Sequence, residues 1–463
     1  RYLAWLEEIR PWCISRQLWW GHQIPVWYRG EDEVHVGHQP PEGEGWERDP
    51  DVLDTWFSSA LWPFATLGWP DDDPRLRAFY PTDVLSTARE ILFLWVARMV
   101  MMGLRFAGDV PFRDVYIHSV IQAPDGRRMS KSLGTGIDPL EEIERHGADA
   151  VRFGLLAMSS TQDVRYSAEK VEQGQRLANK LFNATRFVLL NVRADLRAAP
   201  RPQTVEDRWI LSRLAAAKEE LVARVEGFDF AKAALGLYDF VYGELCDWYL
   251  EFVKGRDFDD DLSATVLHIV RETLTLAHPM IPFVTEELWD LVPGDDARPS
   301  LLAAGRLEPE DPALRDPGAE AEIGRVIAVV QALRRWRDEA EVRAGAVLGV
   351  RDSPPHEARS DELLGPLRPL IARLARVRFA DADDPPVATL VADGVALDVL
   401  PSEDIDVGAA ERKRAVRRDH LGGEVARAEA KLANQGFVAK APPAVVQAER
   451  DKLERLREEL EAL

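Results

Sequence analysis

The chain has 463 residues, enough for about two to four domains with hydrophobic cores of their own. Its 79 acidic residues outnumber 58 basic ones, and the resulting net charge of −21 argues against general nucleic-acid affinity while allowing a local basic face. Two cysteines, Cys13 and Cys246, are too few for a disulfide framework or a cysteine-rich zinc cluster, which indicates a reducing compartment.

No apolar run in the sequence approaches membrane-spanning length, so we expect a cytoplasmic protein without a membrane partner. Because the first residue is Arg1 and not methionine, we also expect the chain to begin inside a longer one. Residues 411–463 contain 12 Lys and Arg against 10 Asp and Glu, so the surplus negative charge lies in residues 1–410. A basic face is therefore best sought at the C-terminal end.

Aromatic side chains are dense near the start of the chain. Trp12, Trp19, Trp20 and Trp27 fall within a short stretch, and such density normally indicates packing in a core. A second aromatic stretch contains Trp56, in Asp-Thr-Trp-Phe. A rigid indole can form the wall of a small apolar pocket, but a core tryptophan explains the pattern equally well from the residues alone.

The string His35-Val36-Gly37-His38 fits a His-x-Gly-His pattern that could hold a nucleotide phosphate. That chemistry needs the imidazoles at the first turn of a helix, where backbone amides also face the anion. Here Gln39-Pro40-Pro41 follows at once and cannot continue a helix. We therefore predict a loop without a role in nucleotide binding.

Apolar periodicity predicts a helix from Leu85 to Leu104, with one apolar face formed by Ile91, Leu92, Trp95, Val96 and Met99. A buried strand is predicted at 115–121, followed by the loop Arg127–Gly134. Asp138-Pro139 then has the pattern of a helix start. The loop thus follows the carboxyl end of a strand, where open α/β sheets bind ligands, and Lys131 could reach a phosphate.

Residues 168–300 have a helical pattern almost throughout, which predicts an antiparallel bundle. A Pro- and Gly-rich linker follows at 293–317, and then a helix at 319–340. Short β-like runs follow at 346–351, 376–380, 387–392 and 394–400, and they indicate a small α/β subdomain.

The C-terminal end repeats apolar residues at heptad-like spacing on either side of Asn434-Gln435-Gly436, which predicts an antiparallel coiled-coil hairpin. Five basic residues line its beginning: Arg412, Lys413, Arg414, Arg417 and Arg418. On the pattern alone, the hairpin could serve RNA binding, dimerisation or packing.

The loop Arg128-Met129-Ser130-Lys131-Ser132 resembles the Lys-Met-Ser-Lys-Ser signature of class I aminoacyl-tRNA synthetases, with arginine in place of the first lysine. The resemblance implies that the loop closes over ATP and steadies the charge on its phosphates. It implies catalytic roles for Arg128, Ser130, Lys131 and Ser132. It also implies nucleotide contacts by Lys131, Met129 and His118.

Two further motifs resemble the valyl branch of that family: Trp19-Trp20-Gly21-His22 and Asp54-Thr55-Trp56-Phe57. The resemblance implies that Trp56 helps to wall the pocket for the side chain of valine. Glu90 and Ile91 stand at positions that hold the substrate's amino group and side chain in many relatives, which have a smaller aspartate before the isoleucine. Isoleucyl or leucyl specificity is disfavoured, because those relatives usually have Arg-Tyr-Trp-Gly at the first motif.

The family resemblance also implies the architecture. We expect an α/β fold at 1–165, the second half of a Rossmann-like class I catalytic domain, and an all-α anticodon-binding bundle at 166–300. A linker with a small α/β subdomain would occupy 301–404, and an antiparallel coiled-coil arm 405–463. The arm would bind tRNA through the five basic residues at its beginning.

ATP with Mg²⁺, valine and valine tRNA are the implied substrates and partners. We predict no bound structural metal, because Tyr28-Arg29-Gly30-Glu31 lacks the Cys-x-x-Cys zinc knuckle that many relatives carry there. Three interpretations stay open: a fragment of an ordinary ligase, a non-catalytic tRNA-binding module, or one half of a split enzyme with a separately encoded N-terminal half. By itself this chain is expected neither to activate valine efficiently nor to proofread.

Overall fold

The computed structural model describes residues 2–130, 134–158, 162–193, 199–293, 300–301, 312–353, 363–434 and 443–461. The chain divides into two compact units. The first contains Arg1–Asn179, Glu220–Leu237 and Ala277–Glu286, and the second contains Lys180–Glu219, Tyr238–Leu276 and Glu287–Leu463. None of the helices in the described ranges combines the length and the apolar composition needed to cross a membrane.

The first unit begins with helix Tyr2–Glu7 and short antiparallel strands. Strand β1 (Ser15–Arg16) pairs with β5 (Val52–Leu53). The order β3-β2-β4 forms a second sheet, from β2 (Val26–Arg29), β3 (Glu33–Val36) and β4 (Glu47–Arg48). No helix begins at the His-x-Gly-His string, but the predicted loop is only partly correct, because His35 and Val36 belong to β3, with His35 opposite Trp27.

The first unit also contains two parallel strand pairs. Strand β6 (Thr82–Thr87) pairs with β7 (Phe112–Ile117), and β8 (Ile121–Gln122) pairs with β9 (Val164–Arg165). The chain between β6 and β7 is helical in four consecutive pieces: the 3₁₀ turn Arg89–Ile91, the π-helical turn Leu92–Val96, the α-helix Ala97–Met102 and the π-helical turn Gly103–Ala107.

The predicted helix start at Leu85 is wrong. Leu85, Ser86 and Thr87 belong to β6 and pair with β7, and the helix begins only after Ala88, whose backbone is extended. Apolar residues that suit a helix face also suit a buried strand, and here strand pairing decides the outcome. The predicted apolar face is confirmed further along, because buried Val96 and Met99 pack with Leu85 and Phe112.

The remaining helices of the first unit include Thr55–Ala60, Trp62–Ala65, Pro74–Phe79, Pro139–His146 and Ala148–Leu156. The predicted start of the fourth is confirmed. The Leu140 amide donates to the Asp138 carboxylate at 2.9 Å, and Pro139 takes the first helical position. Gly147, at φ +88°, ends this helix, because a left-handed backbone favours glycine.

Residues 168–291 are mainly helical, as predicted. The helices span Ala168–Asn191, Val205–Glu226, Phe230–Asp239, Leu250–Val253, Asp260–Ala277 and Pro282–Leu291, with the π-helical segment Phe240–Tyr249 before the fourth. In the second unit, fully buried Asp207 accepts hydrogen bonds from Arg256 at 2.8 and 3.0 Å and from the Tyr249 hydroxyl at 3.0 Å. These contacts satisfy the buried Asp207 carboxylate and the buried Tyr249 hydroxyl.

The second unit continues with helix Pro317–Glu339 and a four-stranded sheet in the order β11-β10-β13-β12. Its strands are β10 (Leu348–Asp352), β11 (Val377–Phe379), β12 (Ala388–Ala392) and β13 (Val395–Val399), with helix Arg368–Ala375 before β11. Only the pair β10–β11 is parallel among these described strands. Each strand lies within about two residues of a run predicted from sequence pattern.

Two long helices, Val407–Ala433 and Pro443–Glu461, form the C-terminal segment. They run antiparallel, since Lys431 pairs with Glu449 at 2.7 Å and Arg457 with Glu429 at 2.6 Å. The apolar seam between them buries four side chains: Leu421, Ala428, Val446 and Leu456. These four residues belong to the apolar series that predicted the hairpin.

Candidate active site

The candidate site lies at the carboxyl ends of the parallel strands β6 and β7. Thr87 pairs with Ile117, and the His118 amide then donates to the Thr87 carbonyl oxygen at 3.0 Å. The chain leaves these two ends toward Glu90 on one side and His118 on the other. Both side chains are exposed, and the ends of adjacent parallel strands are where open α/β sheets bind ligands.

An ion pair joins the segments that follow these strands. Arg89 contacts the carboxylate of Asp163, and the same carboxylate accepts the Val120 amide at 3.1 Å. The Val120 hydrogen bond and the Arg89 guanidinium together hold the pKa of Asp163 below its usual value. Asp163 therefore joins two segments. One is the start of the helix that contains Glu90, and the other is the chain before strand β8, which leads into the basic loop.

A tight turn brings the chain into that loop. The Gly126 amide donates to the Ala123 carbonyl oxygen, and the Ala123 amide donates to the Arg127 carbonyl oxygen, both at 2.8 Å. Gly126 has φ +85°, which a residue with a side chain adopts only with strain. Arg127 pairs with Asp125 at 2.7 Å, so its charge is used within the turn.

Thr135 ties the two sides of the loop together. Its hydroxyl accepts the Ser130 amide at 3.0 Å and donates to the Arg128 carbonyl oxygen at 3.2 Å. The Thr135 amide in turn donates to the Ser130 carbonyl oxygen at 3.2 Å. These three hydrogen bonds set the position from which the basic loop leaves the fold.

The predicted loop residues lie partly within the described range. Arg128 is exposed and Met129 and Ser130 are half-buried, whereas Lys131 and Ser132 lie outside the described residues. The stem of the loop therefore begins at Ala123, directly after β8. The Val120 amide, directly before β8, donates to Asp163.

Trp56 lies in the first turn of helix Thr55–Ala60, and its amide donates to the Asp54 carboxylate at 2.8 Å. Asp54 is only 5% exposed and also contacts Arg16 and the Trp12 indole, the latter at 3.1 Å. Burial raises the pKa of Asp54, but the hydrogen bonds from Trp56 and Trp12 and the nearby Arg16 charge outweigh it and lower the pKa overall. The negative charge of Asp54 thus fixes the position of Trp56.

The helix with Trp56 packs against the helical segment that begins beside Glu90. The Trp95 indole donates to the Ser59 carbonyl oxygen at 3.2 Å, and the Trp95 and Trp62 rings are 5.9 Å apart. Ile91 is half-buried at the start of the same segment. The helix that contains Trp56 therefore packs against the π-helical turn Leu92–Val96, which directly follows Glu90 and Ile91 in the chain.

The prediction that the first aromatic stretch packs in a core is only partly correct. Trp12 and Trp27 are half-buried, but Trp19 is 98% exposed and Trp20 is 88% exposed. Aromatic density does not reveal which rings have neighbours, because burial depends on elements distant in sequence.

At the C-terminal helices, Arg412 and Arg418 are exposed, and Arg412 pairs with Asp406 at 3.1 Å. Lys413, Arg414 and Arg417 lie on helix Val407–Ala433, but their side chains lie outside the described residues.

Sequence reasoning did not assign roles to Arg89, Thr135 or Asp163. Their hydrogen bonds connect separate segments, and neither periodicity nor composition encodes such partners. The available signal was the clustering of hydroxyl and glycine residues around Thr135, which is typical of a loop stem. Among the described residues, no group of three or more His, Cys, Asp or Glu side chains could hold a metal ion.

Three family models match the chain. The model for class I tRNA synthetases (I, L, M and V) matches residues 1–43 and 39–167. The model for the anticodon-binding domain of tRNA ligases matches residues 207–351, and the valyl-tRNA synthetase tRNA-binding arm matches residues 406–463.

Curated relatives match along the whole chain. A valine–tRNA ligase of Geobacillus stearothermophilus is 41% identical over 100% of this chain and 54% of its own length. A valine–tRNA ligase of Clostridium acetobutylicum is 39% identical with the same coverage. The chain thus spans about half the length of the curated relatives it matches.

Solved structures support the fold at lower identity. Agrobacterium radiobacter K84 LeuRS, in a ternary complex with tRNA and LeuAMS, is 22% identical with a TM-score of 0.56, covering 68% of this chain and 45% of that one. Mycobacterium tuberculosis methionyl-tRNA synthetase with methionyl-adenylate is 22% identical with a TM-score of 0.51, covering 66% and 60%.

Proposed function

Since the chain belongs to the valine–tRNA ligase family of class I tRNA synthetases, we propose that it takes part in the ATP-dependent joining of valine to its tRNA. The observation that carries this proposal is the 41% identity to a valine–tRNA ligase over the whole chain. The match of residues 406–463 to the valyl arm supports valine over the other amino acids of the class I model.

In the proposed first step, the valine carboxylate attacks the α-phosphorus of ATP. A bond forms between a carboxylate oxygen and phosphorus, the bond to the bridging oxygen breaks, and pyrophosphate leaves with that electron pair. Such a step is accelerated mainly by positioning and by charge stabilisation at phosphorus. Lys131 would supply a point charge to the departing phosphates, and Arg128, Ser130 and Ser132 would supply further donors.

The loop stem supports this assignment. Thr135 and the turn before Arg127 hold the loop directly after β8, a strand that begins three residues after the exposed His118. His118 and Met129 would contact the nucleotide from the strand and from the loop. Mg²⁺ would arrive with ATP, held largely by phosphate oxygens and water, which is the usual coordination of this ion.

Valine would lie between the two packed elements that carry Trp56 and Glu90. Trp56 and Ile91 would surround the side chain, and the Glu90 carboxylate would hold the ammonium group. Glu90 already has a cation 3.6 Å away, at Arg89, but both side chains are largely exposed. Such an exposed pair is weak, so the substrate ammonium can compete for the carboxylate.

Transfer RNA would contact the helical bundle and the C-terminal hairpin. We propose that the bundle spans 166–300, that a linker and small α/β subdomain span 301–404, and that residues 405–463 form a coiled-coil arm. Arg412, Lys413, Arg414, Arg417 and Arg418 would meet RNA phosphates on the arm, where they are concentrated in an otherwise acidic chain. A separately encoded partner that supplies the remaining length of the relatives is a second proposal, and it rests on the 54% coverage.

The test is valine-dependent ATP–pyrophosphate exchange by an active ligase that contains this chain. We expect Lys131→Ala to slow exchange by about 30- to 1000-fold, because a charge contact made mainly in the transition state contributes about 2–4 kcal/mol. The matched control is Lys232→Ala, which removes an exposed lysine that contacts Asp229 at 3.1 Å. Equal rates for the two variants would remove Lys131 from the mechanism.

A further inference from the structure

A cavity of about 450 Å³ lies within the second unit. None of its lining residues is a candidate active-site residue. Four arginines and two acidic residues line it: Arg334, Arg337, Arg373, Arg376, Glu251 and Asp338. They come from the end of the helical bundle, from helix Pro317–Glu339 and from the end of helix Arg368–Ala375.

The four guanidinium groups are held in place by carbonyl oxygens. Arg373 donates to the carbonyl oxygens of Glu251, Phe252 and Lys254 at 2.8–2.9 Å, where a bundle helix ends. Arg334 and Arg337 likewise donate to carbonyls, at 3.0 and 2.9 Å for the shortest contacts. These bonds orient the cations without neutralising them, because a carbonyl carries no net charge.

Arg376 completes the set, and its guanidinium contacts the Ala344 carbonyl oxygen. Within the described part of the chain, none of the four arginines forms an ion pair with a carboxylate. Arg337 is buried, and this burial, together with the neighbouring Arg376 charge, lowers the pKa of its guanidinium. A bound anion would relieve both costs.

The cavity is locally positive in a chain whose net charge is −21. It has four cations against two carboxylates, and one of these, Glu251, already pairs with Lys254. Acidic proteins that bind polyanions need such a local concentration of arginine. The planar guanidinium also matches phosphate oxygens, which it can contact through two parallel hydrogen bonds.

The volume falls within the roughly 300–1,000 Å³ range of small-ligand sites and therefore admits one nucleotide. Six of the ten lining residues lie within residues 207–351, which match the anticodon-binding model. We infer that this cavity binds one phosphate-bearing nucleotide of a single-stranded RNA segment. The inference deepens the proposed function, because it rests on tRNA being the partner.

The test uses the full 463-residue chain. The first variant is Arg334→Gln/Arg376→Gln, which removes two cavity charges but keeps amide donors for the carbonyl contacts. The matched control is Arg335→Gln/Arg378→Gln, which removes two exposed arginines of the same unit that do not line the cavity. Circular dichroism and the unfolding midpoint verify that both variants fold.

The probe is a fluorescent, 5′-phosphorylated RNA trinucleotide followed by fluorescence anisotropy. We expect the cavity variant to bind it about 10- to 100-fold more weakly than the control, since two charge-assisted contacts are lost. The slope of log affinity against log salt should flatten by up to about 0.7, the value for one phosphate contact in single strands. Equal affinities and slopes for the two variants would overturn the inference.

A second experiment distinguishes binding of RNA from binding of a free anion. Inorganic phosphate is titrated into the same proteins by calorimetry, and binding of phosphate without binding of the trinucleotide would also overturn the inference. A third titration uses whole valine tRNA. If the tRNA binds and the cavity variant matches the control with both RNAs, the cavity inference fails while the proposed function stands. If the tRNA does not bind the wild-type chain, the proposed function itself fails.

Discussion

Thr135→Val tests whether the threonine hydroxyl positions the basic loop. Valine keeps the branched shape of the side chain but removes the acceptor for the Ser130 amide and the donor to the Arg128 carbonyl oxygen. Each hydrogen bond contributes about 0.5–1.5 kcal/mol, and both sites are partly exposed, so we expect a local loss of about 1–2 kcal/mol. The backbone hydrogen bond from the Thr135 amide to Ser130 is unchanged by the substitution.

Hydrogen exchange of the Ser130 amide measures this loss directly. A loss of about 1–2 kcal/mol corresponds to exchange that is about 5- to 30-fold faster, while the global free energy of unfolding stays within about 0.5 kcal/mol of wild type. Thr135→Ser is the matched control, because it keeps the hydroxyl and removes only a methyl group. If Ser130 exchanges at the wild-type rate in Thr135→Val, the hydroxyl does not hold the loop.

Three further predictions concern Asp207, Asp163 and the His-x-Gly-His string. Asp207→Asn should lower the free energy of unfolding by about 1–3 kcal/mol at pH 7, because it neutralises the buried carboxylate that Arg256 contacts, while Glu206 remains 3.6 Å from the guanidinium. Burial raises the pKa of Asp207, but the Arg256 charge outweighs this effect and lowers the pKa overall. The destabilisation by Asp207→Asn should therefore shrink as pH falls below about 4, because the carboxylate of the unfolded wild-type chain is then protonated. Urea unfolding at pH 7 and pH 3 measures this difference. Asp163→Asn should speed hydrogen exchange of the Val120 amide, which donates to the Asp163 carboxylate, whereas an unchanged rate would contradict the proposed role of Asp163 in joining Arg89 to Val120. His35→Ala/His38→Ala should leave ATP–pyrophosphate exchange of an active ligase unaltered, and a tenfold loss would show that the nucleotide site was misplaced.

Local sequence rules predicted the features that depend on neighbouring residues. The cap at Asp138 with Pro139 and the strands from Leu348 to Val399 follow from capping or alternation over a few residues. The antiparallel C-terminal pair follows from an apolar seam that is visible as spacing along the chain.

Features that join distant segments were not predictable in this way. Leu85 was assigned to a helix because its partner Val115, on β7, is remote in sequence. The arginine cavity likewise joins Glu251 to Arg373, which lie in different elements. The motif resemblance selected Trp56 and Glu90 as candidate substrate residues, but the contacts of Asp54 and Asp163 that hold their segments required the fold.

The central proposal, that this chain binds valine tRNA, is tested most directly by filter binding. The 463-residue chain is titrated with valine tRNA and with a non-cognate tRNA at two salt concentrations. We predict tighter binding of valine tRNA that weakens as salt rises, with a flatter slope in Arg412→Gln/Arg418→Gln than in the control Arg335→Gln/Arg378→Gln. Equal affinity for both tRNAs, or binding that is insensitive to salt and to the arm variant, would contradict the claim.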